Sequence, residues 1–248
     1  MMMRLLFSGL AAGVLAGVCV AGIQEVTTTP LILKAEVYEK AAESHNHATL
    51  KTFNGAPVVM AHAHDAVEKA APAAEPKEWE PEDGLQRTLF TSVATVGAAV
   101  GFALMLLAVM LASNATITAS TAALWGAAGF VITGLAPGLG LAPELPGSVS
   151  ADLLPRQIWW VSTAALSGLG LWAMWRWQTI GPVLGGAALL AIPHIWGAPH
   201  AAKFGSTVPA ELASHFTSSS LAIQAILWVL AGGLAGYFWT RQSPAQVA

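Results

Sequence analysis

Ten side chains in this sequence have the types and spacings that hold a transition-metal ion. His45-Asn46-His47 and His62-Ala63-His64 are two His-x-His elements, and Asp65 follows the second directly. In an extended chain residues i and i+2 share one side, so both imidazoles can grip one ion; on a helix they diverge by about 200°. Imidazole suits Co, Ni, Cu and Zn, and a neighbouring carboxylate joins or orients the ligands. Two such pairs are notable in a chain with seven histidines. The same segment also reads as a solvated polar loop with incidental histidines, or as a pH-responsive one. The other five candidates lie further along: Glu144, His194, His200, Glu211 and His215.

The elements that must position these groups are apolar runs. Leu5–Ile23, Thr88–Ala112, Thr121–Leu141, Gln157–Trp177, Ile180–Gly197 and Leu221–Trp239 carry almost no charge. At about 1.5 Å rise per residue each can cross a hydrocarbon core of roughly 30 Å, some with tilt. The expected fold is an all-α membrane protein, a polytopic bundle of about six transmembrane helices in one integral membrane domain. One long extracytoplasmic loop, 24–87, holds the His-x-His elements. The run at Ile180–Gly197 is short and contains Pro182 and Pro193, so a five-span bundle with a re-entrant fifth segment is the alternative.

Composition narrows the function classes. Charged residues make up 10% and hydrophobic ones 55%, with a mean hydropathy of +0.59, so most of the chain offers water no polar face. A net charge of −3 without a basic stripe argues against nucleic acid as a partner. The single cysteine, Cys19, gives no disulfide framework and no cysteine-rich metal knuckle. No phosphate-binding GxxxxGK[ST] loop and no HExxH pair is present, so neither ATP binding of that kind nor a zinc-enzyme site of that kind is expected. The expectation is a protein that is not an enzyme and carries no resident cofactor.

Loop charges set the expected sidedness. With the N-terminus inside, six spans put Arg4, Arg176 and Arg241 on the cytoplasmic side with no acid beside them. All fourteen acids and all seven histidines then lie outside or within a turn of the outer interface, so both termini are expected in the cytoplasm. The first span resembles a signal peptide in its basic start and apolar run. Its length and the ladder Gly9, Gly13, Gly17 favour a retained, closely packed helix. Gly97 with Gly101, Gly181 with Gly185, and Gly232 with Gly236 repeat that spacing and predict close contacts in other spans.

Local signals place the remaining groups. Leu31–Ala42 reads as helix continuing past Pro30. Asp83 with Gln86 reads as a capping box for the second span. Trp159, Trp160, Trp172, Trp175 and Trp177 read as aromatic belts at the two interfaces. Leu141–Gly147 is a rigid turn holding Glu144 at the membrane surface. Pro193 breaks a helix and frees a carbonyl near His194, whose imidazole is either functional or hydrogen-bonded between helices. Pro209 starts a helix running into the last span, with Glu211 and His215 on one face; Glu211 is also simply favourable in a first helical turn. Ser218, Ser219, Ser220 and Gln224 make a polar entry to that span, either bonding neighbouring helices or lining a path.

Together these motifs resemble the CbtA family of cobalt-transporter membrane subunits over nearly the whole chain. The resemblance is carried by PLILKAEVYE (30–39), WEPEDGLQRT (79–88), GLAPGLGLAPELPG (134–147), RQIWW (156–160), PHIWGAPH (193–200) and VPAEL (208–212). It implies the inner membrane, inward Co²⁺ transport serving cobalamin synthesis, and a small single-span His-bearing partner, CbtB. Residue chemistry alone points only to a divalent transition metal, because ligand affinity by itself favours Cu²⁺ over Co²⁺. A non-transporting metal-binding, sensor or assembly subunit is the other expectation.

Overall fold

The computed structural model describes residues 1–48, 81–201 and 205–242, with the backbone alone for 43–48. Regular structure among them is helical: α1 (Met2–Val26), α2 (Thr28–Ala48), α3 (Leu85–Ala112), α4 (Ala119–Phe130), a π-helical turn (Val131–Leu135), α5 (Ala136–Gly138), α6 (Leu153–Trp177), α7 (Ile180–Trp196) and α8 (Ala210–Arg241). The six apolar runs fall on α1, α3, the α4–α5 stretch, α6, α7 and α8, so the all-α membrane fold read from the sequence is the fold observed. By length and composition α1, α3, the 119–138 stretch and α8 can each cross a membrane. The 17 residues of α7 rise only about 25 Å, a little short of a hydrocarbon core of roughly 30 Å.

The centre of the bundle is α1, α3, α4 and α8. Ala12, Ala16 and Val20 of α1 pack with Ala99, Ala103, Leu107 and Met110 of α3, Ala122 of α4, and Ile223, Leu227, Ala231 and Ala235 of α8. Small residues dominate this list because lipid tails give helices no hydrophobic reason to associate, and close backbone approach must do so instead. A Cβ at Gly13 or Gly17 would collide with the backbone of Val100 or Val96, and one at Gly9 with the Leu104 side chain. The glycine ladder of α1 is thus a groove for α3, the tight packing expected of a retained helix. On α8, a Cβ at Gly232 or Gly236 would strike the carbonyls of Ala122 or Thr118 on α4.

Two of the four expected ladders are not contacts. Nothing lies within 4 Å of a Cβ built at Gly97, Gly101, Gly181 or Gly185. The α6–α7 hairpin instead crosses at Gly170 and Gly186, where each added Cβ would meet the other glycine's carbonyl. Spacing alone does not reveal which face of a helix meets a neighbour. The hairpin turns at Gln178, in left-handed backbone (φ 30°), and brings Pro193 back beside Trp159.

Other local expectations also change. Asp83 does not cap α3: the N-cap is Gly84 at φ 94°, with no side-chain cap. Gln86 does reach back, accepting from the Glu82 N–H, while the Asp83 carboxylate pairs with Arg87 at 3.0 Å. Helix continues past Pro30 as expected, but as a separate α2 after a break at Thr27; Pro30 is tolerated in its first turn, where an N–H has no partner anyway. Trp159 is buried rather than lipid-facing, whereas Trp160, Trp172, Trp175 and Trp177 are exposed as belt residues should be. The third span is not one regular helix. Pro137 supplies no N–H to the Thr133 carbonyl, and the ladder shifts to a π turn in which the Ala136 N–H reaches the Val131 carbonyl.

Candidate functional site

Charge separates the two ends of the bundle. At one end the Arg4 guanidinium donates to the Trp239 carbonyl (Nε 3.0 Å) and lies 4.0 Å over the Trp239 ring, while Gln242 Nε2 donates to Ser8 Oγ at 2.7 Å. The opposite end collects the described acids and histidines, brought there by the end of α1, α2, the start of α3, the 139–152 loop, the end of α7 and the start of α8.

That end is held together by α2. Ala35 and Ile32 of α2 pack with Leu145, Val208, Leu212 and Phe216, joining α2 to the 139–152 loop and the start of α8. Glu36 of α2 pairs with Arg87 of α3, which also holds Asp83. The loop is further tied by Thr217 Oγ1 donating to the Pro143 carbonyl at 3.0 Å and the Thr207 N–H to the Gly147 carbonyl at 3.3 Å. Gly147 adopts φ 79°, and a Cβ there would also press on Thr207 Oγ1, so this turn needs glycine.

Beneath the loop lies a cleft of about 590 Å³ between the π turn, α6 and α8. Its polar lining is Thr133, Glu144, Arg156, Gln157 and Gln224; its walls are apolar, including Leu141, Trp160 and Leu221. Glu144 and Arg156 face each other across 3.0 Å (Nη2 to Oε2), and Ser150 Oγ donates to the same carboxylate oxygen. The other oxygen, Oε1, accepts no hydrogen bond among the described residues. Farther along the lining, the Gln224 amide fills the space a side chain at Gly134 would need.

Of the expected ligands whose side chains are described, the structure places Glu144 in this cleft and His194, His200, Glu211 and His215 outside its lining. His194 is half-buried at the end of α7, edge-on to Trp159 (centroids 5.9 Å apart, 70° between planes), and the Trp159 indole N–H donates to the Pro193 carbonyl at 3.3 Å. His200 is exposed in the following loop, and Glu211 and His215 are exposed on the first turns of α8. No ion pair joins Glu211 to His215 among the described residues. His45 and His47 fall on the last turns of α2. His62, His64 and Asp65 lie outside the described residues. Among the described residues no three of His, Cys, Asp and Glu cluster closely enough to hold one ion.

Arg156, Gln157 and Thr133 were not singled out from sequence. Pro137 was the available signal, since a proline late in an apolar run marks displaced backbone, and π turns recur at functional sites. A family model described as "Probable cobalt transporter subunit (CbtA)" matches residues 2–240. No curated protein and no solved structure matches the chain.

Proposed function

The chain belongs to the CbtA family, and from that premise we propose that it takes a divalent transition metal, Co²⁺ by family, inward across the cell's inner membrane for cobalamin synthesis. It works as a transport subunit rather than an enzyme. In this reading the acid- and histidine-bearing end faces outward, both termini are cytoplasmic, and α1, α3, the α4–α5 stretch, α6, α7 and α8 each cross. The return of Pro193 to the level of Trp159 supports a full fifth crossing over a re-entrant one.

Ions are collected by weak, exchangeable contacts. His45, His47, His62, His64 and Asp65 gather them in the outer segment; Glu144, His194, His200, Glu211 and His215 surround the mouth. The observation that carries this reading is Glu144, the one expected ligand among the described residues that lines a cleft leading from the acidic end toward Gln224. A small single-span, His-bearing subunit of CbtB type is the proposed partner, consistent with the family's description as a subunit. Uptake of Co²⁺ by cells expressing both subunits tests it: E144A should reduce uptake strongly, and uptake equal to the unsubstituted protein would refute the mouth assignment.

A second reading has its own support. The cleft ends at Thr133 and Gln224 without crossing the bundle, which suits a metal-binding or assembly subunit serving a separate permease. Liposomes containing the purified chain alone separate the two, since only a transporter admits Co²⁺.

A further inference from the structure

The geometry points to the cleft between the π turn, α6 and α8 as a binding station for one partly hydrated divalent cation, with Arg156 as the displaceable counter-ion that occupies Glu144 when the station is empty. This deepens the transport reading and rests on it for the identity of the ion.

Three observations combine. Glu144 is the one carboxylate among the described lining residues, and one of its oxygens is held by Ser150 and Arg156 while the other accepts no hydrogen bond from a described residue. A cation arriving from the acidic end therefore meets a carboxylate already oriented, with a free lone-pair site. The Arg156 side chain is 29% exposed and Glu144 36%, so their pairing is wet and readily exchanged rather than locked in a dry interior. Finally, the lining supplies neutral oxygens: the amides of Gln157 and Gln224 and the hydroxyl of Thr133.

This donor set determines the class of ligand. One carboxylate with amide and hydroxyl oxygens suits a divalent cation that keeps several waters, and discriminates poorly between metals. An anion is disfavoured by the free Glu144 oxygen. Among the described residues no second carboxylate and no imidazole lines the cleft, which keeps binding weak and exchangeable. The guanidinium keeps the carboxylate compensated between ions, so an empty station does not leave a bare charge beside apolar walls. Metal entry swaps one cation for another at Glu144 and releases Arg156 toward water.

The test uses the full chain in liposomes with its partner subunit. Leu153, exposed at the rim of the cleft, is replaced by cysteine in a Cys19→Ser background and labelled with a small fluorophore, which Co²⁺ quenches at short range. Quenching should saturate with Co²⁺. Glu144→Gln should raise the half-saturating concentration at least about tenfold, as loss of the ligand charge requires. Arg156→Gln should lower it about two- to fivefold, the range expected for removing a partly exposed competing partner, with Arg156→Lys in between. In the Glu144→Gln background Arg156→Gln should change nothing, which separates direct competition from a general field effect. Quenching that does not saturate, or an Arg156→Gln variant that binds more weakly because the pair merely braces the loop, overturns the proposal. Uptake on the same samples distinguishes the two readings. Saturable quenching without uptake keeps the station and removes the transport role; uptake with unsaturable quenching does the reverse.

Discussion

The amide of Gln224 on α8 stands where a Cβ on Gly134 of the π turn would have to be. That relationship joins two elements the cleft depends on, and it has a direct consequence. Gly134→Ala should push Gln224 and the nearby Phe130 ring aside, lowering the unfolding midpoint in detergent by the equivalent of about 1–3 kcal/mol. Adding Gln224→Ala should recover part of that loss, because the amide is then gone while the Phe130 contact stays. A neutral Gly134→Ala would mean the two elements do not pack as described.

The α1–α3 seam gives a sharper stability contrast. At Gly13 an added methyl meets the Val100 backbone, which cannot rotate away, so Gly13→Ala should destabilise by about 2–3 kcal/mol. Gly101→Ala, on the same scale of change, meets open space and should be neutral or stabilise by about 0.5–1 kcal/mol through helix propensity. Thermal unfolding of both variants in one detergent checks the pair; equal destabilisation would contradict the assigned faces.

These two glycines also show what was legible in the sequence. Four-residue spacing announced small-residue faces, and for Gly9, Gly13 and Gly17 the neighbour is there; for Gly97 and Gly101 it is not, because spacing carries no information about partners. Hydropathy located α1, α3, the α4–α5 stretch, α6, α7 and α8, since continuous apolar runs have few other structures available in lipid. Glu144 could be chosen because PELPG fixes a lone acid beside the membrane. Arg156, twelve residues on, could not, since its role depends on the distance between a loop and a helix that only packing sets. Asp83 failed as a cap for a similar reason: the Arg87 guanidinium, which also binds Glu36, offered its carboxylate a partner, and Gly84 took the cap position.

That network should be measurable. Glu36 and Arg87 are both less than one-third exposed, while Asp83 is 68% exposed. Glu36→Gln should therefore lower stability by up to about 1 kcal/mol and Asp83→Asn by much less, and high salt should shrink both effects. Chemical denaturation at low and high ionic strength reads the order; a larger effect from Asp83 would be inconsistent with the packing of α2 over α3.

Trp159 links the α6–α7 hairpin through one hydrogen bond to the Pro193 carbonyl. Trp159→Phe keeps the apolar bulk and removes the donor, so it should cost about 1 kcal/mol. Trp160→Phe, on an exposed ring, should leave stability unchanged. Matching losses at the two positions would return Trp159 to the role of an ordinary interface anchor.

Sidedness is testable by labelling in intact cells after Cys19→Ser. A cysteine at Asp65 should react with an impermeant thiol reagent and one at Gln242 should not, because six crossings with an inner N-terminus place them on opposite faces. Labelling at both sites would leave an odd number of crossings, and protection at Asp65 would turn the metal ligands to the cytoplasm.

Under the proposed function, Co²⁺ moves inward past Glu144. Liposomes reconstituted with the chain and its partner subunit, loaded with a Co²⁺-quenched dye, measure it most directly. Saturable Co²⁺ entry is expected, falling at least about tenfold in transport efficiency with Glu144→Gln, the ligand charge being lost, while the unfolding midpoint changes little. Entry no faster than into protein-free liposomes, or entry indifferent to Glu144→Gln, would contradict it.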